Sequence, residues 1–182
     1  MAPPLALDLY CGKGGWTAGL LAVGYRVVGL DNVARPEYPG ELIVADLRSM
    51  DLSRFRGRVD VITASPPCEE FSRHGMPWTR AKNPPPPDLS LVEAAYRIRD
   101  EVRPRLFVLE NVRFARPWLG PSVTHSGPFH FWGDAALMPP LPADYRKKES
   151  YASKDRAARA MIPLQIAEGF GRLCRAGFKE SA

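Results

Sequence analysis

Val59-Asp60-Val61-Ile62-Thr63-Ala64-Ser65-Pro66-Pro67-Cys68-Glu69-Glu70-Phe71-Ser72 decides how this chain is read. Its first six residues form an apolar, β-branched run that stops near a proline pair, the pattern of a buried strand. The prolines fix φ and keep the chain extended. The Cys68 thiol therefore emerges on a stiff connection at the strand's C-terminal edge. In open α/β sheets ligands bind at that edge, so a cysteine there is placed for chemistry rather than for packing.

Outward from this strand, residues 5–9, 25–30, 42–44 and 106–109 read as further strands. Residues 16–23 and 88–102 read as helices, the second with Asp88 as N-cap and Leu89, Val92, Tyr96 and Arg99 along one side. Residues 71–87 read as a long, polar, proline-rich loop carrying Arg73, His74, Trp78, Arg80 and Lys82. Residues 129–141 read as a short hairpin. Residues 161–176 read as a terminal helix with Pro163 in its first turn and Gly177 at its stop. Alternating strands and helices predict an α/β fold, a mainly parallel sheet covered on both faces.

The 182 residues suffice for one well-buried domain, expected to run from 1 to 182. A net charge of +5 permits a polyanionic partner and equally fits an ordinary solvated surface. Three cysteines, Cys11, Cys68 and Cys174, argue against a disulfide framework and fit a reducing cytosol. No CxxC pair or His/Cys cluster points to a metal. Met1-Ala2-Pro3-Pro4 does not read as a signal peptide, and no apolar run is long enough to cross a membrane.

Asp8-Leu9-Tyr10-Cys11-Gly12-Lys13-Gly14-Gly15 follows the first strand. Its glycines allow close backbone approach to a ligand at a helix N-terminus. Taken alone, a tight strand-to-helix turn explains it nearly as well. Asp31 and Asp46 then end the next two strands, the first placed to accept from ribose hydroxyls and the second from an adenine amino group, or either to cap a turn.

Together these stretches resemble the DNA cytosine-5 methyltransferase family. The Asp8–Gly15 stretch, with Thr17 beyond it, is similar to that family's DLFCGxGG loop. Residues 65–72 are similar to its PPCQxFS motif, Val108-Leu109-Glu110-Asn111-Val112 to its ENV motif, and Ile162-Pro163-Leu164-Gln165-Ile166-Ala167 to its C-terminal helix, which packs beside the first motif. Four matches in order span most of the chain.

The resemblance implies a Rossmann-like methyltransferase fold with a seven-stranded sheet. It implies S-adenosyl-L-methionine as cofactor, leaving as S-adenosyl-L-homocysteine, held by Asp8, Tyr10, Gly12, Gly14, Gly15, Trp16, Thr17, Asp31, Asn32, Asp46, Leu47 and Pro66. Cys68 would be the nucleophile, with Glu110 and Arg113 as catalytic partners. Pro67, Ser72, Arg73, His74, Asn111 and His130 would meet the substrate, DNA, in a prokaryotic or phage-derived cytoplasmic enzyme. A base stacked in a duplex cannot reach a buried thiol, so the family flips it out.

Three departures are visible. Glu69 stands where the family usually has Gln, adding negative charge beside the thiol. A QxRxR motif is missing from the corresponding residues 127–134, which leaves His130 or Arg113 as substitute donors. Residues 135–160 fill the interval that usually holds a target-recognition domain. Arg146, Lys147, Lys148, Lys154, Arg156 and Arg159 there offer phosphate contacts, or form a solvated segment. The short interval keeps RNA or a free cytosine nucleotide open as substrate, and a protein partner open as the source of recognition. The missing arginines keep open a non-catalytic subunit that binds cofactor or nucleic acid.

Overall fold

Apolar runs bounded by glycine and proline become the strands β1 (Leu5–Leu9), β2 (Arg26–Asp31), β3 (Glu41–Val44), β4 (Val61–Ala64) and β5 (Leu106–Asn111), all mutually parallel where they pair. β6 (Thr124–Ser126) and β7 (Phe129–Gly133) form a hairpin that joins β5 antiparallel through β7. The seven-stranded order is β3-β2-β1-β4-β5-β7-β6. The helices are α1 (Gly15–Ala22), α2 (Glu69–Gly75), α3 (Ser90–Val102), α4 (Arg116–Leu119) and α5 (Leu164–Glu180). This computed structural model describes residues 2–77, 82–143, 145 and 161–180. Trp78, Arg80 and the basic residues from Arg146 to Arg159 lie outside the described residues, as does most of the 135–160 interval.

Strand alternation divides the interior into two cores. Leu7, Leu9, Val28, Leu30, Ile62, Ala64, Phe107 and Leu109 face Ala95, Ile98 and Val102 of α3 and Phe71 of α2. Ala6, Val27, Val61, Val108 and Phe131 face Trp16 and Leu20 of α1 and Ile166, Ala167, Phe170 and Cys174 of α5. The expected parallel sheet with helices on both faces is therefore the observed one. α1 and α5 cross closely because Gly19 has no side chain: a Cβ there would lie 2.4 Å from that of Ala167. Among the described residues no helix is long and apolar enough to cross a membrane.

The N-cap of α3 is Leu89 and not the expected Asp88, which stands one residue earlier and accepts the Ser90 N–H through its carboxylate at 2.8 Å. Three further sequence expectations are corrected. Residues 71–87 are not all loop, because α2 begins directly after Cys68; Glu69 and Glu70 in its first turn and Arg73 and His74 in its last suit the helix dipole. The hairpin is not within 129–141: it turns at Gly127, whose φ is +58°, and its second strand is residues 129–133. Gly177 does not stop the last helix, which continues to Glu180. Pro163 sits just before that helix, its carbonyl accepting the N–H groups of Ile166 and Ala167.

Candidate active site

The C-terminal ends of β1, β2, β4 and β5 lie side by side and carry the chemistry-bearing residues. After β1 the chain reverses sharply, with Tyr10 at φ +58°, Gly12 at +52° and Gly14 at +81°. The Gly14 N–H donates to the Cys11 carbonyl at 2.8 Å. Gly12 faces open space, since nothing among the described residues lies within 4 Å of a Cβ built there. Gly15 is needed for another reason: its Cβ would lie 2.8 Å from the backbone of Ile162, which closes over the start of α1.

Carboxylates hold this turn. Asp31 accepts the Gly12 N–H at 2.9 Å through one oxygen and the Val33 N–H at 3.0 Å through the other. Asn32 is exposed beside it. Asp8, 1% exposed, accepts the Thr17 N–H and hydroxyl and the Thr63 hydroxyl. Burial pushes its carboxyl up to about 7, against the opposing effect of these hydrogen bonds. An acid whose folded value lies above its unfolded one binds more protons when folded, so stability falls as pH rises. Denaturant titrations are expected to show stability declining between about pH 4 and 7, with one group contributing at most about 1.4 kcal/mol per pH unit. Asp8→Asn should flatten that interval.

Asp46 and Tyr10 differ from their expected settings. The Asp46 carboxylate is held in a fork by Arg48, with contacts of 2.7–3.1 Å, which pulls it down to about 2. Leu47 turns its side chain into the α3-side core, and its carbonyl accepts from Arg97. The Tyr10 hydroxyl reaches away from the turn to the Leu91 carbonyl at 2.7 Å, tying the turn to the start of α3.

Across the sheet, Cys68 is the N-cap of α2, and its carbonyl accepts the N–H groups of Phe71 and Ser72. Burial pushes its thiol up; a hydrogen bond with Ser72 opposes this, and the charges of Glu69 and Glu110 reinforce it. The proline pair is anchored to β5: Asn111 Nδ2 donates to the Pro66 carbonyl at 2.9 Å, and Asn111 Oδ1 accepts the Val112 N–H. On the other side, Trp16 Nε1 donates to the Ser65 hydroxyl at 3.1 Å. The same loop thus touches the glycine turn and the β5 end, with Pro67 exposed between them.

Glu110 and Asn111 close β5, both buried, and pair with Phe131 and His130 of β7. His130 accepts or donates at Nδ1 with the Ser122 hydroxyl at 3.0 Å and stacks on His125 with ring centroids 5.1 Å apart. Burial lowers its imidazole, and the positive charges of His125, Arg116 and Arg113 lower it further. Arg73 is engaged by Glu70 within α2, rather than projecting free toward a substrate. His74, one residue on, packs against Trp118 at 4.5 Å.

Tyr38 and Arg116 had no part in the sequence expectations. The Tyr38 hydroxyl meets Thr17 Oγ1 over Gly29, where a Cβ would lie 2.0 Å from it. The short connection from β2 to β3 thereby packs against α1. Gly29, an interruption in an apolar strand, was the available signal.

The family model for C-5 cytosine-specific DNA methylase matches residues 6–116. Curated relatives include the type II methyltransferase M.PspPI of Psychrobacter sp. (strain TA137), 29% identical over 119 residues, covering 59% of this chain and 27% of that protein. Another is the type II methyltransferase M.AluI of Cellulosimicrobium cellulans, 32% identical over 123 residues, covering 59% of this chain and 22% of that protein. The chain thus spans about a quarter of the length of the curated relatives it matches. Among solved structures it is similar to the Entamoeba histolytica methyltransferase EhMeth, at 17% identity and a TM-score of 0.46, covering 65% of this chain and 41% of that one.

Proposed function

Because the chain belongs to the C-5 cytosine-specific DNA methylase family, we propose that it transfers a methyl group from S-adenosyl-L-methionine to C5 of cytosine in DNA. The observation that carries this reading is the shared edge: the Asn111 amide bonded to the Pro66 carbonyl ties the Cys68 loop to the strand end that bears Glu110.

The residues fit the cofactor. Gly12 leaves open space at the turn, and Asp31 stands at the end of β2 with lone pairs beyond its two backbone contacts. Tyr10, Gly12, Gly14, Gly15, Trp16, Thr17, Asp31, Asn32 and Pro66 would surround it, with Asp8 and Leu47 supporting from beneath and Asp46 adjoining at the β3 end. When bound it supplies an electrophilic methyl group.

The chain's own residues do the rest. The Cys68 thiolate adds to C6, so that an S–C bond forms and the C5=C6 electron pair moves to make C5 nucleophilic. Glu110, beside N3 and the exocyclic amine, stabilises the charge on the ring. C5 takes the methyl group. Loss of the C5 proton returns its electrons to the ring and expels the Cys68 thiolate. Ser72 steadies the sulfur, Asn111 holds the Pro66-Pro67 loop, and Arg113 or His130 offers a donor to the base.

Incubating the protein with labelled cofactor and mixed-sequence DNA, then mapping 5-methylcytosine at base resolution, tests the reading; absence of any methylated cytosine would overturn it. The brevity of the 135–160 interval favours one alternative, the same chemistry on RNA or a free cytosine nucleotide, for which tRNA and dCMP are parallel substrates. It also motivates a protein partner that supplies recognition. We place the reaction in the cytoplasm.

Glu69 is a further handle. Its charge pushes the Cys68 thiol up, so Glu69→Gln is expected to expose more thiolate at a given pH. The midpoint of iodoacetamide modification of Cys68 against pH should move to lower pH.

A further inference from the structure

A second depression lies where α2 meets the turn after β5. It is a cleft of about 460 Å³ lined by His74, Arg113, Phe114, Arg116, Trp118 and two prolines, Pro117 and Pro121. The two walls meet closely because Gly75 has no side chain: a Cβ there would sit 2.2 Å from the Phe114 ring. One wall descends from the helix that Cys68 caps, and the other from the strand that ends in Glu110 and Asn111.

Its chemistry is one-sided. Arg113 and Arg116 are both exposed, and neither forms an ion pair among the described residues. Among the described residues no acidic side chain lines the cleft. Trp118 is half-buried, with the His74 and Phe71 rings packed against it at a tilt of 55° and 48°. Among the described residues His74 Nε2 is enclosed without a hydrogen-bond partner. Two guanidiniums beside an aromatic wall suit a phosphodiester with its base, the anion taken by the arginines and the π-face by the indole.

We infer that this cleft seats a nucleotide of the substrate strand next to the target cytosine, with its phosphate at Arg113 and Arg116 and its base against Trp118, which leaves His130 as the donor to the target base. The inference rests on the proposed methyl transfer to a cytosine-bearing strand. It assigns part of the recognition task to Arg116 and Trp118, within the catalytic domain.

The test uses the full chain and fluorescein-labelled, cytosine-containing oligonucleotides, single-stranded and duplex, read by anisotropy over a range of salt. Arg116→Gln is expected to weaken binding about 10-fold and to reduce the slope of log affinity against log salt by about one. Trp118→Ala should weaken it about 10-fold, with Trp118→Phe restoring most of the loss. S-adenosyl-L-homocysteine binding should be unchanged in all three, which also reports that they fold. Unchanged oligonucleotide affinity and salt slope in Arg116→Gln, with methyl transfer intact, would overturn the cleft and leave the function standing. Full competition by millimolar inorganic phosphate would mark a free-anion site and overturn the nucleotide assignment. Wild-type protein that neither binds oligonucleotide nor methylates it would overturn the functional reading and this inference with it.

Discussion

Cys68→Ala is expected to lower methyl transfer by about 10⁴-fold or more, the scale seen when the nucleophile is removed from a catalytic unit. It should also abolish the covalent complex with 5-fluorocytosine DNA. Neither other thiol can substitute. Cys11 is 7% exposed with burial pushing it up to about 12, and Cys174, on α5, is 1% exposed in the core that α5 shares with α1. The fold should survive, because the backbone hydrogen bonds that start α2 use the Cys68 carbonyl. Cofactor binding and the thermal midpoint are therefore the controls. Methyl transfer that persists in this variant would remove the covalent route.

Glu110→Gln is expected to cost about 10²–10³ in the rate of the chemical step, the range for losing a positioned proton donor or charge stabiliser. A second readout should move the other way. Glu110 helps push the Cys68 thiol up, so removing its charge should leave more thiolate at neutral pH. Iodoacetamide should then label Cys68 faster while methylation slows. A variant that is merely misfolded would lose cofactor binding as well, and would not show this opposed pair. Single-turnover methylation alongside alkylation rates checks both.

The strands were legible because their residues leave few alternatives. Leu5–Leu9 matches its expected bounds, since an apolar run set between prolines and a glycine turn has one simple solution. The resemblance likewise implied a C-terminal helix beside the first motif, and Ile162, just before that helix, lies against Gly15. Residues 71–75 were misread because the flanking prolines suggested a loop. The acid-first, base-last charge order in Glu69, Glu70, Arg73 and His74 carried the helical signal. Gly177 misled for the opposite reason: packing of the preceding turns holds the helix together through a residue that on its own would weaken it. Local propensity gave no sign of Tyr38 reaching Thr17 or of Trp118 meeting His74, because both contacts depend on loops brought together only by the finished sheet.

The crossing of α1 with α5 through Gly19 has a consequence for how the chain is made. All seven strands except β1 lie between those two helices in sequence, yet Trp16, Leu20 and Phe131 are covered only when Ile166 and Phe170 arrive. At synthesis rates of roughly 5–20 residues per second, the part of this face that α1 leaves uncovered stays bare for several seconds after its strands have emerged. Contacts of such long sequence separation also form slowly. A nascent chain stalled before residue 162 should therefore bind hydrophobic dyes and chaperones, and release them once the last helix has left the ribosome.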